Sequence, residues 1–115
     1  MTEPAHTAAE AGRLLASGSV SSAGLTEQYL SRIERLNPVL HAVIATAPDA
    51  LTAARASDQR RRNGNLLGPL DGIPLLVKDN IEAAGLPGTA GSRALLTSPP
   101  TADAPLVGQL RAAGM

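Results

Sequence analysis

Cysteine is absent from this sequence, which excludes disulfides, thiolate metal sites and a cysteine nucleophile, and accords with a reducing compartment. Phenylalanine and tryptophan are absent as well, and Tyr29 is the single aromatic residue. Much of the 43% apolar content is alanine, so a chain of 115 residues has little large side-chain area to bury. No apolar run approaches membrane-spanning length. The first residues, Met1 to His6, lack the basic-then-apolar order of a secretory signal. Ten basic and ten acidic residues cancel, so charge gives no reason to expect nucleic acid or an anionic membrane as a partner. A cytoplasmic protein of one small domain at most is the expectation. With only His6 and His41 as imidazoles, a metal site would need carboxylates from distant segments, and His41 reads as a structural or rim histidine.

What is present is helical first. Thr7-Ala8-Ala9-Glu10 has the form of a capping box, and Gly18 can close the short helix that follows. Ser21 caps a second helix, with Val20 and Leu25 as a hydrophobic staple and Leu25, Tyr29, Ile33 and Leu36 on one face. Asn37-Pro38 is expected to end it, closing a helical region over 7–36. A strand is expected over 40–45. A third helix is expected over 47–62, opened by a capping box at Thr46 and Asp49 and ended by Arg60-Arg61-Arg62 and Asn63-Gly64. A last helix is expected over 103–113, capped by Thr101 or Asp103 and ended at Gly114, with Leu106, Val107 and Leu110 on its apolar side.

Between these helices lies the most informative stretch. Gly68-Pro69-Leu70-Asp71-Gly72-Ile73-Pro74 reads as turns leading into a strand over 73–78, whose apolar run Leu75-Leu76-Val77 stops at Lys78, the only lysine in the chain. A lysine at a strand end in apolar surroundings loses hydration, which disfavours its charged form and makes it a candidate general base. The plain alternative is a lysine that ends a strand and reaches into water. A glycine-rich loop over 85–92 follows, with Thr89-Ala90-Gly91-Ser92 returning amides and hydroxyls toward the lysine. A phosphate cradle is excluded by spacing, because Lys78 precedes the glycines instead of closing them.

Taken in order, Gly-Pro-Leu-x-Gly-Ile-Pro, three apolar residues, Lys-Asp-Asn-Ile and Thr-Ala-Gly-Ser resemble the amidase signature family. The resemblance implies an α/β fold, helices packed on a mixed twisted sheet, of which this chain is the incomplete N-terminal part, broken off after a βα unit. It implies hydrolysis of a carboxylic amide through a serine acyl-enzyme, with no metal or organic cofactor. It places the base of a Ser-cisSer-Lys triad on Lys78, and makes Asp79, Gly91 and Ser92 hydrogen-bonding groups around it. Asp79, were it close to the amine, would hold it protonated, so it is expected to bond backbone groups instead.

Both serines of the triad would lie beyond Met115, as would the residues that select the substrate. A local dyad of Lys78 with Ser92 or Ser98 is conceivable but lacks oxyanion-binding amides. The partner expected is therefore a small-molecule amide, met by the longer protein; the chain alone is expected to be inactive. Two alternatives stand beside this reading: a piece of the A-subunit of a tRNA-dependent amidotransferase, and a non-catalytic truncated product or interaction module.

Overall fold

The computed structural model describes Ala5 and residues 7–115. The reading of the N-terminal residues around His6 as free of a secretory signal lies outside the described residues. Among the described residues four helices make up the regular structure: α1 (Ala8–Ala16), α2 (Ser22–Leu40), α3 (Ala50–Arg62) and α4 (Pro105–Ala112), with a single 3-10 turn at Arg93–Leu95.

Local capping sets most of the helix ends. Thr7 Oγ1 accepts the Glu10 amide at 3.1 Å to start α1, and Ser21 Oγ accepts the Gly24 amide at 2.9 Å to start α2. At the other ends, α1, α3 and α4 all finish in the same paired bonds: the amides of Ser19, Asn65 and Met115 reach back to Leu14, Arg60 and Leu110. The expected stops at Gly18, Gly64 and Gly114 are therefore observed.

Helix α2 departs from expectation. It runs past Asn37-Pro38 to Leu40 and ends on His41 in the left-handed conformation, φ 49°. The Asn37 side chain is the reason. Its Oδ1 accepts the amides of Ala42 and Val43, each at 2.9 Å, while Nδ2 donates to the Val43 carbonyl at 2.8 Å. Those are the backbone groups that a strand over 40–45 would need for a ladder, so no strand forms there and His41 is a helix cap.

Two other starts move. Helix α3 begins at Ala50, three residues later than expected, and its cap residue Asp49 makes no side-chain bond to the helix. Helix α4 begins with Pro105 after Ala104, without the expected cap from Thr101 or Asp103. Asp103 accepts the Ala84 amide at 2.8 Å and pairs with Arg111 Nε at 2.8 Å, tying the loop at 84 to α4. Of the apolar side expected for α4, Val107 is buried and Leu106 is exposed.

The core is small, as the composition requires. Leu15 and Leu25, each 1% exposed, meet Ala5, Ala11 and Ile73, and Leu14, Val20, Tyr29 and Met115 pack around them. The Tyr29 hydroxyl donates to the Ala5 carbonyl at 2.6 Å. Burying each leucine contributes roughly 1.5–3 kcal/mol.

The expected strand over 73–78 is not formed among the described residues. Ile73 is buried, but Leu75 and Leu76 are 39% and 69% exposed and the segment has no ladder partner. A strand exists only as part of a sheet, and nothing in this stretch of chain supplies a neighbour.

Candidate functional site

The turn ahead of the lysine is held by backbone and side-chain bonds together. Amides of Asp71 and Ile73 close consecutive turns on the carbonyls of Gly68 and Leu70, each at 3.2 Å. Asp71 is fully buried, and Arg60 of α3 grips its carboxylate with two bonds, Nε to Oδ2 at 2.8 Å and Nη2 to Oδ1 at 2.7 Å. The Leu67 amide adds a third bond, at 2.9 Å, and Arg61 donates to the Asp71 carbonyl at 3.1 Å. Chiefly because of Arg60, the Asp71 carboxyl is lowered from its ordinary 3.8 to about 2, against the opposing effect of burial.

Gly72 joins this turn to two other parts of the chain. Its carbonyl accepts the Ser22 hydroxyl at 2.7 Å and its amide donates to the Gly114 carbonyl at 2.9 Å. At φ 93°, with Ser57 Oγ 2.5 Å from where a Cβ would stand, no side chain fits there. Asp58 of α3 completes the frame by accepting the amides of Ser22 and Ala23, at 2.7 and 3.0 Å, at the positive end of α2.

From this frame the chain passes Pro74 and enters an open groove of about 990 Å³. The apolar stripe of α2 forms one wall. Leu25, at its start, is core, whereas Tyr29, Ile33 and Leu36 are only half-buried and face the groove together with Leu75, Leu76 and Leu86.

Lys78 lines this groove and is exposed, and no ion pair or hydrogen bond reaches its amine among the described residues. The apolar surroundings expected to strip its hydration are one-sided: a wall is present and a cover is not. Asp79 lies beside it and turns to the glycine-rich loop. Its Oδ2 accepts both the backbone amide of Thr89, at 3.0 Å, and the Thr89 hydroxyl, while its own carbonyl accepts the Ala90 amide at 3.2 Å. These bonds, the Thr89 hydroxyl foremost, hold the Asp79 carboxyl below its ordinary value.

Gly91 lies in the same lining, with its amide on Thr89 Oγ1 at 3.2 Å. Ser92 closes the turn over 89–92 through its amide, 2.8 Å from the Thr89 carbonyl, but it is exposed and does not line the groove. Ala90, between them, takes the left-handed conformation at φ 49°, uncommon for a residue with a side chain. The structure thus gathers Lys78, Asp79 and Gly91 at one groove and leaves Ser92 on its outer side. Sequence reasoning brought the Thr89 hydroxyl back toward the lysine but missed that it joins Asp79 to Gly91, and it missed the pairing of Asp71 with Arg60. Among the described residues no group of three or more histidine, aspartate or glutamate side chains could hold a metal ion.

The helical frame thus delivers one lysine on a turn-bounded apolar segment, with a glycine-rich loop folded back beside it. Comparison with known proteins gives the class: residues 24–115 match the Amidase family model, and the chain belongs to that family. It is 48% identical over 118 residues to the glutamyl-tRNA(Gln) amidotransferase A-subunit of Chloroflexus aurantiacus, a match covering 99% of this chain and 24% of that one. The corresponding subunit of Streptomyces coelicolor is 41% identical, with 93% and 22% covered. Among solved structures, the native peptide amidase of Stenotrophomonas maltophilia superposes with a TM-score of 0.89 at 46% identity, over 95% of this chain and 23% of that one. The chain thus spans about a quarter of the length of these relatives. No helix among the described residues is long and apolar enough to cross a membrane.

Proposed function

We propose that this chain is the lysine-bearing N-terminal portion of an amidase that hydrolyses a carboxylic amide, working in the cytoplasm. The observation that carries the proposal is Lys78 itself, the only lysine, held at the groove by a turn that the Arg60–Asp71 pair fixes. In the longer protein a neutral Lys78 amine takes the proton of a bridging serine, which takes that of the nucleophilic serine as it attacks the carbonyl. The amine leaves with the proton that Lys78 took, returned through the bridging serine; water then attacks the serine ester, and its proton passes by the same route to Lys78 and back to the nucleophilic serine as the acid is released. Asp79, Gly91 and Ser92 support the lysine through the 88–92 loop. In that setting residues 73–78 enter a mixed sheet, and the cover over Leu75 and Leu76 supplies the desolvation that lowers the charge on the amine.

The test is amide hydrolysis by the longer protein with and without Lys78→Ala. Loss of a positioned base lowers kcat by about 10²- to 10⁴-fold; activity within a few-fold of the unaltered enzyme would refute the role. A second reading, the A-subunit of a glutamyl-tRNA(Gln) amidotransferase assembled with other subunits, is favoured by the 48% identity to a protein of that name. Glutamine-dependent amidation of charged tRNA, in place of hydrolysis of peptide amides, would select it.

A further inference from the structure

Thr89 has no assigned part in the proposed chemistry, yet its side chain is buried and its bonds are directional. Its oxygen accepts the Gly91 amide, so its proton is directed to Asp79 Oδ2. Together with its own amide, Thr89 places two donors on a single carboxylate oxygen, next in sequence to the lysine. The charged and titratable groups that line this groove are Tyr29 and Arg32 of α2, Lys78 and Asp79. Asp79 is therefore the one acid among them that could neutralise the lysine.

We infer that Thr89 is a positioning residue for Lys78: by engaging the Asp79 carboxylate it keeps that acid from pairing with the adjacent amine and so preserves the lysine as a free base. The inference rests on the reading of Lys78 as the base. Two observations support it independently of that reading. No ion pair reaches Lys78 among the described residues although an acid is its sequence neighbour, and the Asp79 carboxyl is held in its charged form chiefly by the Thr89 hydroxyl. A carboxylate released from Thr89 stays tethered within reach of the amine, and an opposite charge at short range favours the protonated lysine.

Because the chain has a single lysine, the reactivity of its amine can be read without ambiguity. The 115-residue chain is treated with limiting acetic anhydride at a fixed, mildly alkaline pH. Acetylation of Lys78 is measured by mass spectrometry against the N-terminal amine as internal reference. In Thr89→Val the relative rate should fall roughly twofold to threefold, the size expected for an exposed ion pair. Thr89→Ser, which keeps the hydroxyl, should react as the unaltered chain does. The double variant Asp79→Asn/Thr89→Val should recover the original rate, because no carboxylate remains to pair with the amine.

An unchanged rate in Thr89→Val would overturn the inference, as would an equal loss in the double variant, since that would mark a damaged loop and not a freed carboxylate. Circular dichroism of each variant confirms that the helices persist. Retention of amide hydrolysis by the longer protein with Lys78→Ala would instead refute the lysine's role as base and leave the acetylation result standing.

Discussion

The chain changes character at Ile73. Before it, the Asp71 turn is buried and its charged and backbone groups are met from three directions, by Arg60 and Arg61 of α3, by Ser22 at the start of α2 and by Gly114 after α4. After it, Leu75 and Leu76 stand in the open and the lysine that follows has no partner among the described residues. The first region is completed by contacts the chain makes with itself. The second is positioned by the first and is open on one side. A buried turn bonded from α2, α3 and the residue after α4 thus fixes where an open segment begins, as the proposed role of Lys78 requires.

The largest expected effect comes from breaking the first region. Asp71→Ala would leave Arg60 without its partner and the Leu67 amide without an acceptor, and should destabilise the chain by about 3 kcal/mol, measured by urea unfolding. Gly72→Ala should cost about 2 kcal/mol, because it needs a positive φ and the new carbon would meet Ser57 and Ser22. The same region makes stability depend on pH. The Asp71 carboxyl is lowered on folding, so its contribution is fully present above its ordinary value of 3.8 and is lost as pH falls through about 2. Acid titration should reveal a loss on the order of 2 kcal/mol within that window, absent in Asp71→Asn. The smallest effect should come from the second region: Leu76→Ser, at a side chain already in water, should change stability by less than about 0.5 kcal/mol.

The parts of this arrangement that could be read from sequence are those decided within a few residues. Thr7, Ser21, Gly18, Gly64 and Gly114 act on amides and carbonyls of their own helix turns, and the helices start or stop with them. The order of residues from Gly68 to Ser92 was enough to indicate the family. Other features depend on contacts that periodicity does not encode. Asn37 draws the chain after α2 into its own side-chain bonds, which overrode both the proline stop and the strand expected at 40–45. Arg60 was read as a helix-end charge because its partner Asp71 lies beyond the end of α3, in the turn. Leu75 to Val77 has the composition of a buried strand, but a strand is a property of a sheet and its neighbours are not in this stretch. Thr89 looked like one member of a glycine-rich run, and only the folding back of the loop reveals that it holds Asp79.

Amide hydrogen exchange on the 115-residue chain tests the contrast between the two regions most directly. The amides of Leu25, Leu67 and Gly72 should exchange slowly, since each is bonded within the buried frame, while those of Leu75, Leu76 and Val77 should exchange at nearly the rate of an unstructured peptide. Strong protection across Leu75 to Val77 would contradict the account, because it would mean that the lysine segment is already paired and covered by this chain alone.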